Sequence, residues 1–341
     1  MRAFAVIVPV YNRPGEVEEL LESLCSQKFK DFEVIIVEDG STEPCEAVAE
    51  SFRDRLDIKY FVKPNGGPGE ARNFGAKQAS APWLIILDSD VILPEGYFGA
   101  IQAELAGPEG DCDAFGGPDR AHPDFTPVQK AINYSMTSFF TTGGIRGGKV
   151  KMDKFYPRSF NLGIKAEAYE ALGGFSKMRF GEDIDLSIRI FKAGYRCRLF
   201  PEAWVWHKRR TNLKKFFKQV HNSGIARINL YKKYPDSLKI VHTLPALFTL
   251  SVIGLLMLSI AAGLLLPVWW SAAPLSPLLL WAMAIWIDST IKNGSLRIGL
   301  LSVGAAFIQL TGYGTGFIRA WWGRCILGRG EMQAFKKNFY K

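Results

Sequence analysis

The chain has 341 residues, 48% of them apolar and 22% charged, with a formal net charge of +9. That length accommodates one large domain and something smaller. Its five cysteines, Cys25, Cys45, Cys112, Cys197 and Cys325, have no metal-binding or redox spacing, so they are read as packing residues. Up to about Tyr234 the pattern is that of a soluble α/β protein; after His242 it becomes nearly continuous Leu, Ile, Ala, Gly and Trp.

Phe4 to Val10 reads as a strand, and Val17, Leu20, Leu21 and Leu24 then recur at helical spacing. The apolar strand is too short for a signal peptide and runs straight into Asn12, Arg13, Pro14 and Gly15, so the soluble part is expected to stay in the cytoplasm. Glu33 to Val37 is a second strand, Ala47 to Phe52 belongs to a second helix, and Ile58 to Val62 is a third strand. Glu70 to Ala79 makes a further helix before the strand Trp83 to Leu87. This alternation predicts a parallel, doubly wound sheet with right-handed crossovers.

The Leu/Ile run Trp83–Leu87 is followed at once by Asp88-Ser89-Asp90. A strand covered on both faces belongs to a parallel sheet, and ligands of such sheets collect at the carboxyl ends. Two carboxylates one residue apart repel unless a cation lies between them, and hard oxygen ligands select Mg2+ or Mn2+. An N-capping polar turn explains the same residues. The other strand ends add polar groups at that edge: Pro9, Tyr11, Asn12 and Arg13 after the first, Glu38, Asp39, Gly40 and Ser41 after the second. Asp39 is suited to accept hydrogen bonds from a nucleotide base.

Gly66-Gly67-Pro68-Gly69 opens a helix that carries Arg72 in its first turns, which fits either a tight turn or a phosphate cradle. Beyond Pro94 the pattern loosens, and the Gly-rich stretch Thr141 to Gly148 reads as a substrate-covering loop or a plain connection. Gly181-Glu182-Asp183-Ile184-Asp185 leads an amphipathic helix, Ile184 to Phe191; acids there complement the helix dipole, and Glu182 or Asp183 can also face a cleft as general base. Trp204 to His207 is a short strand ending in a histidine, a structural group or a metal or phosphate ligand.

The order of these motifs resembles the inverting glycosyltransferases of family 2, whose nucleotide-sugar-binding fold is termed GT-A. The matching segments are Val8–Arg13, Val37–Thr42, Gly67–Asn73, Asp88–Asp90, Gly173–Phe175 and Gly181–Asp183. The resemblance implies a nucleotide-diphospho-sugar donor, of uridine type in such relatives, bound by Pro9, Tyr11, Asn12, Arg13, Glu38, Asp39, Gly67, Arg72 and Asp88. It implies Asp90 as principal metal ligand, Asp88 at the ribose or the metal, His207 at the metal, and Asp183 as catalytic base with Glu182 beside it. Glu38 departs from the Asp frequent at this supporting position. The Gln-x-x-Arg-Trp motif of processive synthases is missing, since Gln219 is followed by Val220-His221-Asn222-Ser223, which favours single-sugar transfer. The acceptor is expected near Phe160, Asn161, Leu162 and Gly163 and the loop Thr141 to Lys154, by position alone.

The domain plan that follows is a catalytic domain over residues 1–210, a basic amphipathic helix over 211–240, a membrane region of two or three helices over 241–322, and a basic tail over 323–341. Thr211 to Tyr234 mixes Leu213, Phe216, Phe217, Val220, Ile225, Ile228 and Leu230 with Lys and Arg, as expected of a helix on anionic lipid rather than on nucleic acid. Leu244–Leu266, Leu275–Ile291 and Ile298–Ile318 are the candidate spans, the last interrupted by Gly304, Gly312, Gly314 and Gly316. Lys208, Arg209, Arg210, Lys214, Lys215, Lys218, Lys232 and Lys233 precede the first span, which points to the cytoplasmic face of the inner (cell) membrane. The tail, with Arg319, Arg324, Arg329, Lys336, Lys337 and Lys341, is basic as well, so a re-entrant or interfacial later segment is expected. A lipid-linked sugar or other cell-envelope glycan precursor is the expected acceptor. Two alternatives stay open: a polysaccharide or polyprenyl-phosphate sugar synthase, and a non-catalytic membrane subunit.

Overall fold

The computed structural model describes residues 2–108, 110–143, 155–178 and 180–331. They form two compact units, Met1–His122 with Met152–Lys208, and Pro123–Lys151 with Arg209–Lys341. The segment beginning at Pro123, placed by the sequence pattern in the catalytic domain, therefore belongs with the apolar helices.

The first unit opens with β1 (Phe4–Val10), α1 (Pro14–Cys25), β2 (Phe32–Asp39), α2 (Glu46–Glu50), β3 (Ile58–Lys63), α3 (Pro68–Gln78), β4 (Trp83–Leu87), β5 (Val91–Ile92), α4 (Tyr97–Ala106), β6 (Ala114–Gly116) and β7 (Asp119–Arg120). The chain then supplies α5 (Pro127–Thr137) and α6 (Phe139–Thr142) to the second unit. It returns for β8 (Asn161–Lys165), α7 (Ala166–Ala171), α8 (Glu182–Lys192), β9 (Cys197–Leu199) and β10 (Val205–His207). The second unit finishes with α9 (Leu213–Lys233), α10 (Leu244–Leu265), α11 (Ser276–Asn293) and α12 (Leu296–Trp321).

Seven strands make the main sheet, in the order β3-β2-β1-β4-β8-β6-β9. The parallel half is β3-β2-β1-β4, as the alternating pattern requires, and β8 runs antiparallel to both of its neighbours. Every residue of β2 is buried, because helices cover both faces. Val17, Leu20, Leu21 and Leu24 of α1 pack under one face; Ala5, Ile7, Ile35 and Val37 meet Ala71 of α3 on the other. A second, three-stranded sheet, β5-β10-β7, stands at the carboxyl end of β4. In it His207 pairs with Val91.

In the second unit α9 does not present its apolar stripe to lipid, as the sequence suggested. Phe216 and Val220 pack with Ala131, Ile132 and Met136 of α5 and Ala305 of α12, while Ile225 and Ile228 pack with Phe317 and Ala320. Apart from Phe217, which stays exposed, the stripe is covered by protein, and Lys214, Lys215, Lys218, Lys232 and Lys233 remain exposed. Three of the glycines that interrupt the last apolar stretch, Gly312, Gly314 and Gly316, make close helix approach possible. A Cβ at Gly312 would run into Val220, one at Gly316 into the His221 carbonyl, and one at Gly314 into Thr249 and the Pro245 carbonyl of α10; Gly224 of α9 is equally close to the Tyr313 carbonyl. α5 is fixed further by the Tyr134 hydroxyl, which donates to Asp288 Oδ2 at 2.6 Å, and Lys292 donates to the same oxygen at 2.7 Å.

Three helical segments, Leu244–Leu265, Val268–Asn293 and Leu296–Ile326, are long and apolar enough to cross a membrane. Only 11% and 6% of the first two are buried, against 39% of the third. An exposed apolar surface of that extent marks an interaction surface for a membrane or another protein.

Candidate active site

The site is built in the first unit, at the carboxyl edge of β1, β2 and β4. Asp88 and Asp90 follow β4, and the β5–β10 pairing brings in His207, whose neighbour Lys208 donates its N–H to the Asp90 carbonyl at 3.1 Å. One donor atom from each of Asp88, Asp90 and His207 lies within 4.8 Å of the others. His207 Nε2 is 3.3 Å from Asp90 Oδ1, close to the spacing of about 3 Å between adjacent ligands of an octahedral Mg2+. The His207 ring stacks on Phe160 with centroids 4.7 Å apart, which holds the imidazole in plane. Two carboxylates and one imidazole suit Mg2+ or Mn2+, so these residues fit the metal that the family resemblance implies.

Each carboxylate also has an arginine of its own. Arg13 Nη1 donates to Asp90 Oδ2 at 2.5 Å, and Arg72 Nη2 to Asp88 Oδ1 at 2.7 Å. Burial opposes the charge on Arg13, but Asp90 outweighs it and raises its pKa. Arg72 is buried and held charged in the same way, by Asp88 and Glu182. Mutual repulsion of the two acids, the sequence argument for a metal, is thus already relieved in part by protein cations.

Arg72 donates from Nη1 to Glu182 Oε1 at 3.1 Å, tying the start of α8 to the strand-end acids. The turn into α8 needs Gly181 at φ +83°. Burial drives the Glu182 pKa well above the ordinary carboxylate range, the Arg72 charge opposes this, and Asp183 adds to it. Asp183 Oδ2 accepts from Arg158 Nη1 at 3.0 Å and Oδ1 accepts its neighbour Ile184 N–H at 2.8 Å, so one carboxylate edge is oriented by a cation and a helix N-terminus.

Asp39, expected at the nucleotide, is buried. Oδ1 accepts from Lys63 Nζ at 2.7 Å and from Gly66 N–H at 2.9 Å, and Oδ2 from Gly67 N–H at 2.8 Å. Gly67, expected at the donor, thereby caps Asp39 while its φ of +94° turns the chain into α3. Glu38 is a clamp inside the fold: it accepts from Ser41 Oγ, from the Cys45 N–H at 2.9 Å and from the Tyr60 hydroxyl at 2.9 Å. Asn12, the single non-glycine residue with positive φ among the described residues, receives the N–H groups of Thr42 and Glu43 on Oδ1 at 2.7 and 3.0 Å. Pro9, the last residue but one of β1, is half-buried, as is Tyr11.

Asn161 and Gly163 do not fit the acceptor role expected for them. Asn161 is fully buried, accepting from the Tyr97 hydroxyl and donating to the Ala203 carbonyl, each at 2.7 Å. Gly163 lies inside β8, where a Cβ would collide with the Phe115 ring. Of the expected acceptor loop, residues 144–154 lie outside the described residues. Sequence reasoning missed Lys63 and Arg158. Lys63 sits opposite Asp39 in the β2–β3 register, one position beyond the predicted strand, whereas no local pattern marks Arg158.

The family model for glycosyl transferase family 2 matches residues 5–169. Validoxylamine A glucosyltransferase of Streptomyces hygroscopicus subsp. jinggangensis (strain 5008) is 29% identical over 228 residues, covering 59% of this chain and 54% of that protein. Poly(ribitol-phosphate) beta-N-acetylglucosaminyltransferase TarS of Staphylococcus aureus (strain Mu50 / ATCC 700699) is 40% identical over 94 residues, 26% of this chain and 16% of that protein. The chain spans about half the length of the first of these and less of the second. Among solved structures, the mannosyltransferase PcManGT from Pyrobaculum calidifontis, in complex with GDP-Man and Mn2+, is 18% identical, with a TM-score of 0.57 over 95% of this chain and 88% of that one. That likeness shows the fold.

Proposed function

We propose, from the glycosyl transferase family 2 domain that this chain carries over residues 5–169, that the protein transfers a single sugar, with inversion, from a nucleotide-diphospho-sugar to an acceptor hydroxyl in a metal-dependent reaction. The observation that carries this reading is the convergence of Asp88, Asp90 and His207 donor atoms within 4.8 Å at a strand edge. Arg72 links that cluster to the acidic start of α8.

Asp39 and its Gly66-Gly67 cap form the place for the nucleotide base, with Asn12 and Arg13 beside it. Asp88, Asp90 and His207 would hold Mg2+ or Mn2+, which when bound would neutralise charge growing on the departing diphosphate. Asp183 accepts the proton of the acceptor hydroxyl as that oxygen attacks the anomeric carbon opposite the leaving group. Arg158 and the Ile184 N–H fix the direction of its carboxylate. Glu182, beside it, accepts from Arg72 and holds it against Asp88.

The donor is of uridine type by family resemblance, and the acceptor is lipid-linked or another cell-envelope precursor. The three apolar helices and the lysines and arginines before the first of them support a catalytic unit on the cytoplasmic face of the cell membrane. Incubating purified full-length protein with a panel of nucleotide sugars, with Mn2+ and with Mg2+, and measuring nucleoside diphosphate release tests the activity. No release with any donor and lipid-linked or soluble acceptor would leave the non-catalytic reading. Exclusive use of soluble acceptors would remove the lipid-linked one.

A further inference from the structure

The end of α12 gathers basic groups that sugar transfer does not use. A cavity of about 410 Å3 there is lined by Ile318, Arg319, Trp322, Gly323, Arg324 and Arg329. Arg324 donates from Nη1 to Asn229 Oδ1 of α9, and its Nε is buried with no hydrogen-bond partner among the described residues. Asn229 passes Nδ2 to Glu331 at 3.2 Å. None of the three arginines forms an ion pair with a carboxylate among the described residues.

The carbonyl end of a helix offsets positive charge only partly, about half a unit at its terminus. Three guanidinium groups around one cavity therefore leave an excess that an anion would neutralise. The surroundings indicate which anion. α12 belongs to the candidate span Leu296–Ile326, and Trp321 and Trp322 at its end are 41% and 56% exposed. Tryptophan and arginine together at the end of an apolar helix mark the headgroup layer of a bilayer. The anion concentrated at that depth is lipid phosphate, and the guanidinium fork matches its oxygens.

We propose that this pocket binds the phosphate of an anionic membrane lipid through Arg319, Arg324 and Arg329, with the lipid chains against Ile318 and Trp322. The proposal rests on reading Leu296–Ile326 as a membrane span and not on the sugar chemistry, so nucleoside diphosphate release tests the other reading separately.

The test reconstitutes full-length protein into phosphatidylcholine vesicles to which brominated phosphatidylglycerol or brominated phosphatidylcholine is added in equal amount. The signal is the part of the tryptophan emission that Trp322→Phe removes. Stronger quenching of that part by brominated phosphatidylglycerol is expected. Arg319→Gln, Arg324→Gln and Arg329→Gln together should erase the preference, at roughly fivefold per arginine. Lysine at the three positions should keep most of it, and removing Lys28 and Lys77 of the first unit should leave it unchanged. If the triple variant does not fold, Arg329→Gln alone, at an exposed side chain, should give the single-arginine share. Equal quenching by the two lipids overturns the proposal. So does loss of the preference on adding inorganic phosphate, which would assign the pocket to free phosphate, and so does failure of the protein to float with the vesicles.

Discussion

His207 Nε2 lies 3.3 Å from Asp90 Oδ1 because β10 pairs with β5, setting His207 opposite Val91, the residue after Asp90. A two-residue strand thus decides whether the histidine joins the acids. His207→Ala should lower Mn2+ affinity by at least about tenfold, and Asp90→Asn should do so more severely. Calorimetric titration of the purified protein checks both, and Mn2+ binding unchanged in both variants would leave the cluster a set of ion pairs with Arg13 and Arg72.

Asp183→Asn should reduce transfer by about 10²–10⁴-fold, the usual contribution of a general base, with donor affinity unchanged. Steady-state kinetics together with donor binding measure this. A fully active Asp183→Asn protein would move the base elsewhere.

Glu182 introduces a pH dependence. Its folded-state pKa is raised by burial, so the native state holds this proton more tightly than the unfolded chain. The associated stability is complete below the ordinary carboxylate range and is lost as pH rises through the raised value. Glu182→Gln keeps an acceptor for Arg72 but removes the titration. Thermal unfolding of the variant should therefore fall off less over that window than unfolding of the unaltered protein, with the two curves parallel at higher pH.

Gly316→Ala and Gly224→Ala insert a methyl group where α9 and α12 touch backbone to backbone. Each should destabilise the second unit by about 1–3 kcal/mol, the usual cost of overpacking. Gly304→Ala has open space around it and should stabilise the helix by up to about 1 kcal/mol. Unfolding followed in detergent separates the two classes; equal effects at all three positions would mean that the helices do not meet at these glycines.

Asn161→Ala leaves the Tyr97 hydroxyl and the Ala203 carbonyl without their buried partner. A loss of about 1–3 kcal/mol in stability is expected, with the acceptor KM unchanged. A raised KM at unaltered stability would return Asn161 to the acceptor side.

Much of the site could be read in the sequence because it lies where buried strands end. A Val/Ile run that stops at Glu38-Asp39 and a Leu/Ile run that stops at Asp88 mark the carboxyl edge of a sheet without any knowledge of its neighbours, and the acids that lead α8 are marked by the helix they start. The counter-ions could not be read in that way. Arg13 meets Asp90, Arg72 meets Asp88, Lys63 meets Asp39 and Arg158 meets Asp183, each across a sequence separation that no local period connects. Asn161 misled for the same reason: a polar residue at a strand end looks functional until Tyr97 and Ala203 are found beside it.

By itself the sequence determined the alternation of strands and helices, the edge at which polar groups collect, and three apolar lengths sufficient for a bilayer. Those properties depend on residues within a few positions of one another, so composition and period carry them. Tertiary structure alone decided the antiparallel course of β8, the approach of His207 to Asp90, and the burial of the α9 stripe by α5 and α12 instead of lipid. An apolar helical face gains from leaving water whichever apolar partner covers it, and the glycines of α12 alongside Val220 and His221, with Gly224 of α9, let protein be the partner here.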